Sequence, residues 1–296
     1  MQRPNVSAWV PVDLREEWAA LLERRPSFRS SLSICGRILE VWAVWTPARL
    51  RPLAWGADAC IACWEGGRPL LAEGPPTMAA DEVEGLLWAI MGCLAALGPE
   101  EAAALQRLAE AWDRGEVDPQ ALLQSPAATG GTLLADVGEL SPELGGFVAY
   151  ATLRPVLEAY FADVRRHLPD GVWALGTCPF CGAPPGFADL GEDGRRRPAC
   201  HACGGAWAFS RVCCPCCSTR ATGDLVRLQP GPAEEGYSIE ACTRCGTYIK
   251  ELDRRLRWNA GSALVEDWGS PHLDFLARRA GFRRPVPTLI ELSRAA

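Results

Sequence analysis

Four Cys-x-x-Cys pairs crowd the stretch from Cys178 to Cys245: CPFCG, CHACG, CPCC and CTRCG. Two thiolates separated by two residues can hold one side of a tetrahedral ion if the backbone turns sharply between them. A Gly just after the second Cys eases that turn, and Gly182, Gly204 and Gly246 occupy this position in three of the pairs. One such turn is half a site, because structural zinc and rubredoxin-type iron both want four thiolates. Cys181 and Cys200 are separated by 18 residues and Cys217 and Cys242 by 24, the span of a two-knuckle ribbon with a hairpin between. Adjacent pairing therefore assigns one site to Cys178, Cys181, Cys200 and Cys203 and a second to Cys214, Cys217, Cys242 and Cys245. Interleaved pairing is the alternative. Thiolate tetrahedra suit zinc and iron alike, so the spacing leaves the metal open.

Within CCPCC, Cys213 with Cys216 would also make a Cys-x-x-Cys, but Cys214 with Cys217 is the more usual ribbon frame. Cys213 and Cys216 then read as small side chains beside a knuckle; exchange of metal, persulfide or selenium is the alternative role. A fifth pair, Cys60 and Cys63, has no second pair nearby, and Cys35 and Cys93 lie in apolar segments where a thiol acts as a small hydrophobe. His201, inside CHACG, reads as an exposed knuckle residue, and His167 and His272 as helix residues. The Arg195–Arg197 run reads as a solvated hairpin tip. No Ser-His-Asp order, phosphate loop or metalloprotease helix motif is present, which points away from an enzyme.

The elements that must carry these cysteines differ along the chain. In LREEWAALLERR the apolar Leu14, Trp18, Leu21 and Leu22 share one helical face, and Pro26 stops the helix. Segments from Ser31, from Asp81 to Leu97, from Pro99 to Gly115, and from Pro142 to His167 with a kink or break at Pro155, complete a bundle of roughly six helices. From Pro169 to about Leu252 the chain turns rich in Gly, Pro and Cys, with AWAFSRV and YSIEACT reading as short strands. That composition supplies little core, and a structural metal can contribute on the order of 10 kcal/mol of apparent folding free energy in its place. HLDFLARRAGF returns to a helical pattern. The expectation is an α+β protein: an all-α domain over residues 1–170, four-cysteine modules over 171–210 and 211–296, and a C-terminal helix.

Charge narrows the function. Residues 1–177 carry 23 acidic and 14 basic side chains, 178–245 carry 7 and 7, and 246–296 carry 6 and 9. A nucleic-acid binder normally shows a basic face, so a nucleic-acid partner is not expected. The longest apolar run, from Leu86, falls short of the roughly twenty residues that cross a bilayer, and the amino terminus lacks the pattern of a secretory signal. A cytosolic protein with thiols kept for metal follows as the expectation.

The ordered series CPFCGAPP, CHACGGAW running through FSRVCCPCC, and ACTRCGTYIKELD, with the tail LARRAGFRRPVP, resembles the formate dehydrogenase accessory protein FdhE family. The likeness extends into the helical part through LREEWAALLERRPSF and EGGRPLLA, and departs at Cys60, Cys63, Cys213 and Cys216. It implies a cytoplasmic maturation factor that contacts a formate dehydrogenase catalytic subunit exported through the twin-arginine pathway, and rubredoxin-like iron on the same eight cysteines. A rubredoxin-like electron carrier or redox sensor is the alternative. The acidic front could also attract a basic export signal, against the simpler reading that it keeps the protein in solution.

Overall fold

A computed structural model describes residues 13–289 apart from 48, 78, 124–133, 135 and 138; the reading of the amino terminus lies outside the described residues. Helix α1 (Leu14–Arg24) starts because the Asp13 carboxylate accepts from Arg15 N–H, buries Trp18 and Leu21, and gives way to a 3₁₀ turn at Pro26. Helices α2 (Ser33–Val44), α3 (Ala57–Glu65), α4 (Leu70–Glu73), α5 (Ala80–Leu94), α6 (Pro99–Asp113), α7 (Pro119–Leu123) and α8 (Pro142–Tyr160) follow. The Gly expected after α6 is Gly115, at φ 71°. The short α3, α4 and α7 go beyond the bundle anticipated from periodicity, because four to nine residues show too few turns to register. Among the described residues no helix is long and apolar enough to cross a membrane.

Pro155 does not divide α8, which runs unbroken through it. A proline there removes the amide that would donate to the Ala151 carbonyl. The Trp42 indole N–H of α2 donates to that carbonyl instead, at 2.8 Å in the core. Trp42→Phe is therefore expected to cost about 1–3 kcal/mol, the penalty of an orphaned buried acceptor. In a Pro155→Ala background, where the helix can supply its own donor, the cost should shrink; equal losses in urea titrations of the two backgrounds would refute this account.

The cysteine-bearing half forms one sheet in the order β2-β1-β5-β4-β3. The hairpin of β1 (Phe187–Leu190) and β2 (Arg196–Ala199) and the meander of β3 (Leu225–Leu228), β4 (Tyr237–Cys242) and β5 (Thr247–Asp253) join where β1 runs parallel to β5, Phe187 opposite Lys250. YSIEACT thus yields a strand, as its alternation suggests. AWAFSRV does not: it makes only isolated bridges, Ala199 to Ala206 and Arg196 to Phe209. The chain ends in α9 (Ala263–Trp268) and α10 (Pro271–Arg279).

Two packing events fix the layers. Leu273 and Ala277 of α10 close over Phe187, Tyr237, Ile239 and Leu252 of the sheet. Trp268 of α9 meets the rings of Trp18, Trp42 and Phe147 at 5.5–6.5 Å, tying the C-terminal helices to the bundle. The bundle's own core continues into the first cysteine cluster, whose four thiols are buried with Trp64, Phe161 and Phe180.

Candidate metal centres

Each knuckle is built the same way. In CPFCG the Gly182 amide donates to the Cys178 carbonyl at 2.9 Å and the Cys178 amide to the Ala183 carbonyl at 2.8 Å; CHACG repeats this with Gly204, Cys200 and Gly205. The turn needs a left-handed residue after its second cysteine, supplied by Gly182 at φ 80°, Gly204 at 73° and Gly246 at 69°. In the third knuckle Ser218 takes φ 59°, with its amide on the Cys214 carbonyl. That geometry selects Cys214 and Cys217 as the knuckle pair of CCPCC, and leaves Cys213 buried with its thiol toward the Cys214 carbonyl and Cys216 exposed.

The knuckles converge in adjacent pairs, not interleaved ones. Cys178, Cys181, Cys200 and Cys203 bring their sulfurs within 4.8 Å of one another, and so do Cys214, Cys217, Cys242 and Cys245. The nearest approaches are 3.5 Å for Cys178–Cys203 and Cys181–Cys200, and 3.7 Å for Cys214–Cys245 and Cys217–Cys242. Zinc–sulfur bonds of about 2.3 Å in a tetrahedron place sulfurs about 3.8 Å apart, so both clusters could hold a metal ion of that class. Among the described residues these are the only such groups; Cys60 and Cys63 sit on α3 without further ligands.

The two clusters differ in setting. The first is buried throughout, the second has Cys217 and Cys245 partly exposed. Burial pushes the Cys178 and Cys181 thiols above their usual range. Burial works against a thiolate at Cys203 too, but the neighbouring thiols and Arg165 outweigh it and pull that thiol down. In the second cluster the Cys216 thiol, then burial, pushes Cys214 up to about 12, and burial pushes Cys242 up to about 12. An ion entering either site must displace protons, so its hold should tighten as pH rises.

Several residues that brace the first cluster left no local signal in the sequence. Arg154 of α8, buried, donates to the His201 carbonyl at 2.6 Å and Arg165 donates to the Cys203 carbonyl, so two guanidiniums grip the second knuckle from the bundle. His201 is not exposed: it retains 5% of its accessible surface, and its Nε2 lies 2.9 Å from Asp267 of α9. Burial lowers its pKa, against the pull of Asp267. Asp267 in turn faces Lys250, the chain's single lysine, and Arg284. The Arg195–Arg197 tip is also only partly solvated, since Arg196 is buried against Glu251 of β5 at 3.2 Å. The period-2 alternation of a strand buries one of three consecutive arginines, a signal the charge run concealed. His167 closes a 3₁₀ turn after α8, and His272 stacks on Phe28 and reaches Glu234 at 3.1 Å; neither approaches a cluster.

No family model matches the chain. It is 28% identical over 155 residues to a protein named FdhE homolog from Stutzerimonas stutzeri (strain A1501), covering 51% of this chain and 48% of that one. A second FdhE homolog, from Aquifex aeolicus (strain VF5), is 28% identical over 149 residues, 48% of this chain and 50% of the relative. The chain thus spans about half the length of the curated relatives it matches. The crystal structure of the FdhE protein from Pseudomonas aeruginosa shares the fold, with a TM-score of 0.59, 20% identity and 94% coverage of both chains. These relatives and the common fold support the resemblance to the FdhE family that the cysteine series carries.

Proposed function

Starting from an FdhE-type protein, we propose that this chain is an accessory factor in formate dehydrogenase maturation. It holds one iron or zinc ion on Cys178, Cys181, Cys200 and Cys203 and another on Cys214, Cys217, Cys242 and Cys245, and uses the folded assembly to bind the catalytic subunit. It acts in the cytoplasm, as a binding protein and not as a catalyst. The observation that carries this reading is the pair of four-sulfur clusters, one inside the bundle's core and one partly exposed at the turn between β4 and β5. The first ion anchors the sheet to the bundle; the second stiffens a surface that a partner can reach.

The partial exposure of Cys217 and Cys245 also favours a second reading, rubredoxin-like electron transfer or redox sensing at that site, since an electron must reach the ion through exposed sulfur. One experiment separates the two. The tagged protein, purified without oxygen from cells expressing formate dehydrogenase, is compared with Cys214→Ser/Cys217→Ser by partner identification, metal mass spectrometry and visible spectroscopy. Capture of the catalytic subunit by the wild type, reduced tenfold or more in the variant, is the expected result. Absence of that subunit from both samples, with both folded, removes the accessory reading, and iron whose colour bleaches on reduction then favours the redox one.

A further inference from the structure

Two consecutive residues of the C-terminal tail engage both cysteine clusters. Arg283 pairs through its backbone with the fourth knuckle: its amide donates to the Gly246 carbonyl at 2.9 Å, and its carbonyl accepts from the Tyr248 amide at 3.0 Å. Gly246 directly follows Cys245, and the hydroxyl of Thr247, the residue that bridges to Arg283, lies 3.0 Å from the Cys245 sulfur.

The next residue reaches the first cluster. The Arg284 side chain is 2% exposed; its guanidinium donates to the Gly186 carbonyl and meets Asp267 at 2.9 Å. Asp267 holds the His201 ring at 2.9 Å, and Gly186 lies so close to that ring that an added Cβ would fall 2.1 Å from it. His201 stands between Cys200 and Cys203 in the second knuckle. Successive Cα atoms are only about 3.8 Å apart, so the guanidinium keeps its partners only while the Arg283 backbone keeps its register on Gly246 and Tyr248.

We propose that Arg283 and Arg284 couple the two metal sites. An ion on Cys214, Cys217, Cys242 and Cys245 fixes the Gly246 carbonyl and, through this strap, the knuckle that presents Cys200 and Cys203. Occupancy of the second site therefore tightens the first, and reciprocity makes occupancy of the first tighten the second. Arg284 is a positioning residue, acting through Asp267 and His201. The proposal rests on the two-ion reading above. Cys217 and Cys245 are partly exposed while the first four cysteines are buried, so a change in metal supply met at the exposed site is passed to the buried one.

The test uses the full chain loaded with cadmium-113, a thiophilic ion with an NMR-active nucleus, its two resonances assigned with Cys214→Ser/Cys217→Ser. Equilibrium competition with EDTA gives the affinity of each site, and circular dichroism confirms that each variant is folded. Removing the second site should weaken the first about tenfold, inside the ~5–150-fold range of coupling between sites. Arg284→Gln, which loses the ion pair with Asp267, should show the weaker first-site affinity whether or not the second site is intact. Arg283→Pro deletes the amide that donates to Gly246 and leaves every buried charge in place; it should behave the same way, and it decides the matter if Arg284→Gln does not fold. First-site affinity that is equal with and without the second site overturns the proposal. A dependence that survives undiminished in folded Arg283→Pro also overturns it, because the shared sheet then carries the coupling. Fewer than two ions on the wild type defeats the two-ion reading and the coupling together, whereas two ions held independently defeat the coupling alone.

Discussion

Cys200→Ser should abolish the folded state, whereas Cys217→Ser should leave the bundle intact. The four cysteines of the first cluster are each 3% exposed or less and lie in one core with Trp64, Phe161 and Phe180. A structural ion in such a site contributes roughly 10–16 kcal/mol of apparent folding free energy, about as much as the ~5–15 kcal/mol by which an entire domain is stable. Losing one ligand there leaves three buried thiols in a pocket shaped for an ion. The second cluster closes the ends of β3, β4 and β5, and its Cys217 and Cys245 already touch solvent. Its loss frays that end of the sheet while α1 through α8 keep their core. Thermal melting followed at a helical wavelength, with metal content measured on the same samples, distinguishes the two sites. Equal melting temperatures for the two variants would show that the burial difference does not set the stability difference.

Lys250→Met is expected to cost about 3–5 kcal/mol, the penalty for leaving two buried carboxylates to share the single cation Arg284. The ammonium is fully buried and meets Asp274 Oδ2 at 2.7 Å, Asp267 Oδ1 at 3.0 Å, and the carbonyls of Asp267 and Ser270. Arg284 bridges the same two aspartates at 2.9 Å each and donates to the Gly186 carbonyl, and Tyr248 donates to Asp274 at 2.7 Å. Two cations thus face two carboxylates across β5, α9, α10 and the tail, with His201 of the second knuckle hydrogen-bonded at the edge.

The pH dependence has a definite sign. Burial opposes the Asp267 carboxylate, but Arg284, Lys250 and His201 outweigh it and hold its pKa well below the ordinary 3.8. A depressed carboxylate contributes stability that is present above its unfolded value and is lost as pH falls below it. Without Lys250 one of the two carboxylates around Arg284 can take a proton at low pH and shed the uncompensated charge. The penalty in Lys250→Met should therefore be largest near neutrality and shrink below about pH 4. Guanidinium titrations of both proteins at several pH values read this out; a penalty that grows on acidification would rule out the pairing as its source. Lys250→Met/Asp274→Asn should recover part of the loss, because it removes a charge from each side.

The amino-acid sequence alone showed where the thiols that could hold metal ions would turn. Cys-x-x-Cys with a following Gly is a local device, closed by hydrogen bonds within five residues, so its turn is written into consecutive positions. The hairpin-length gaps then favour adjacent pairing for entropic reasons, since closing a short loop costs less than closing a long one. The longer helices were legible for a similar reason: several turns of 3.6-residue periodicity appear in LREEWAALLERR and in the segment from Asp81. Short α3 and α7 present too few turns to be read this way.

The tertiary structure alone decided which side chains would surround those turns. His201 and Asp267 are 66 residues apart, and Arg154 and the His201 carbonyl 47. No spacing rule connects residues that meet only because β1 lies parallel to β5 and α9 folds back onto the bundle. Trp42 likewise gains its role from a proline 113 positions away, whose missing amide leaves a carbonyl for the indole. Local hydrogen bonding sets where a thiolate can turn toward an ion, whereas burial and charge pairing depend on every element packed around it.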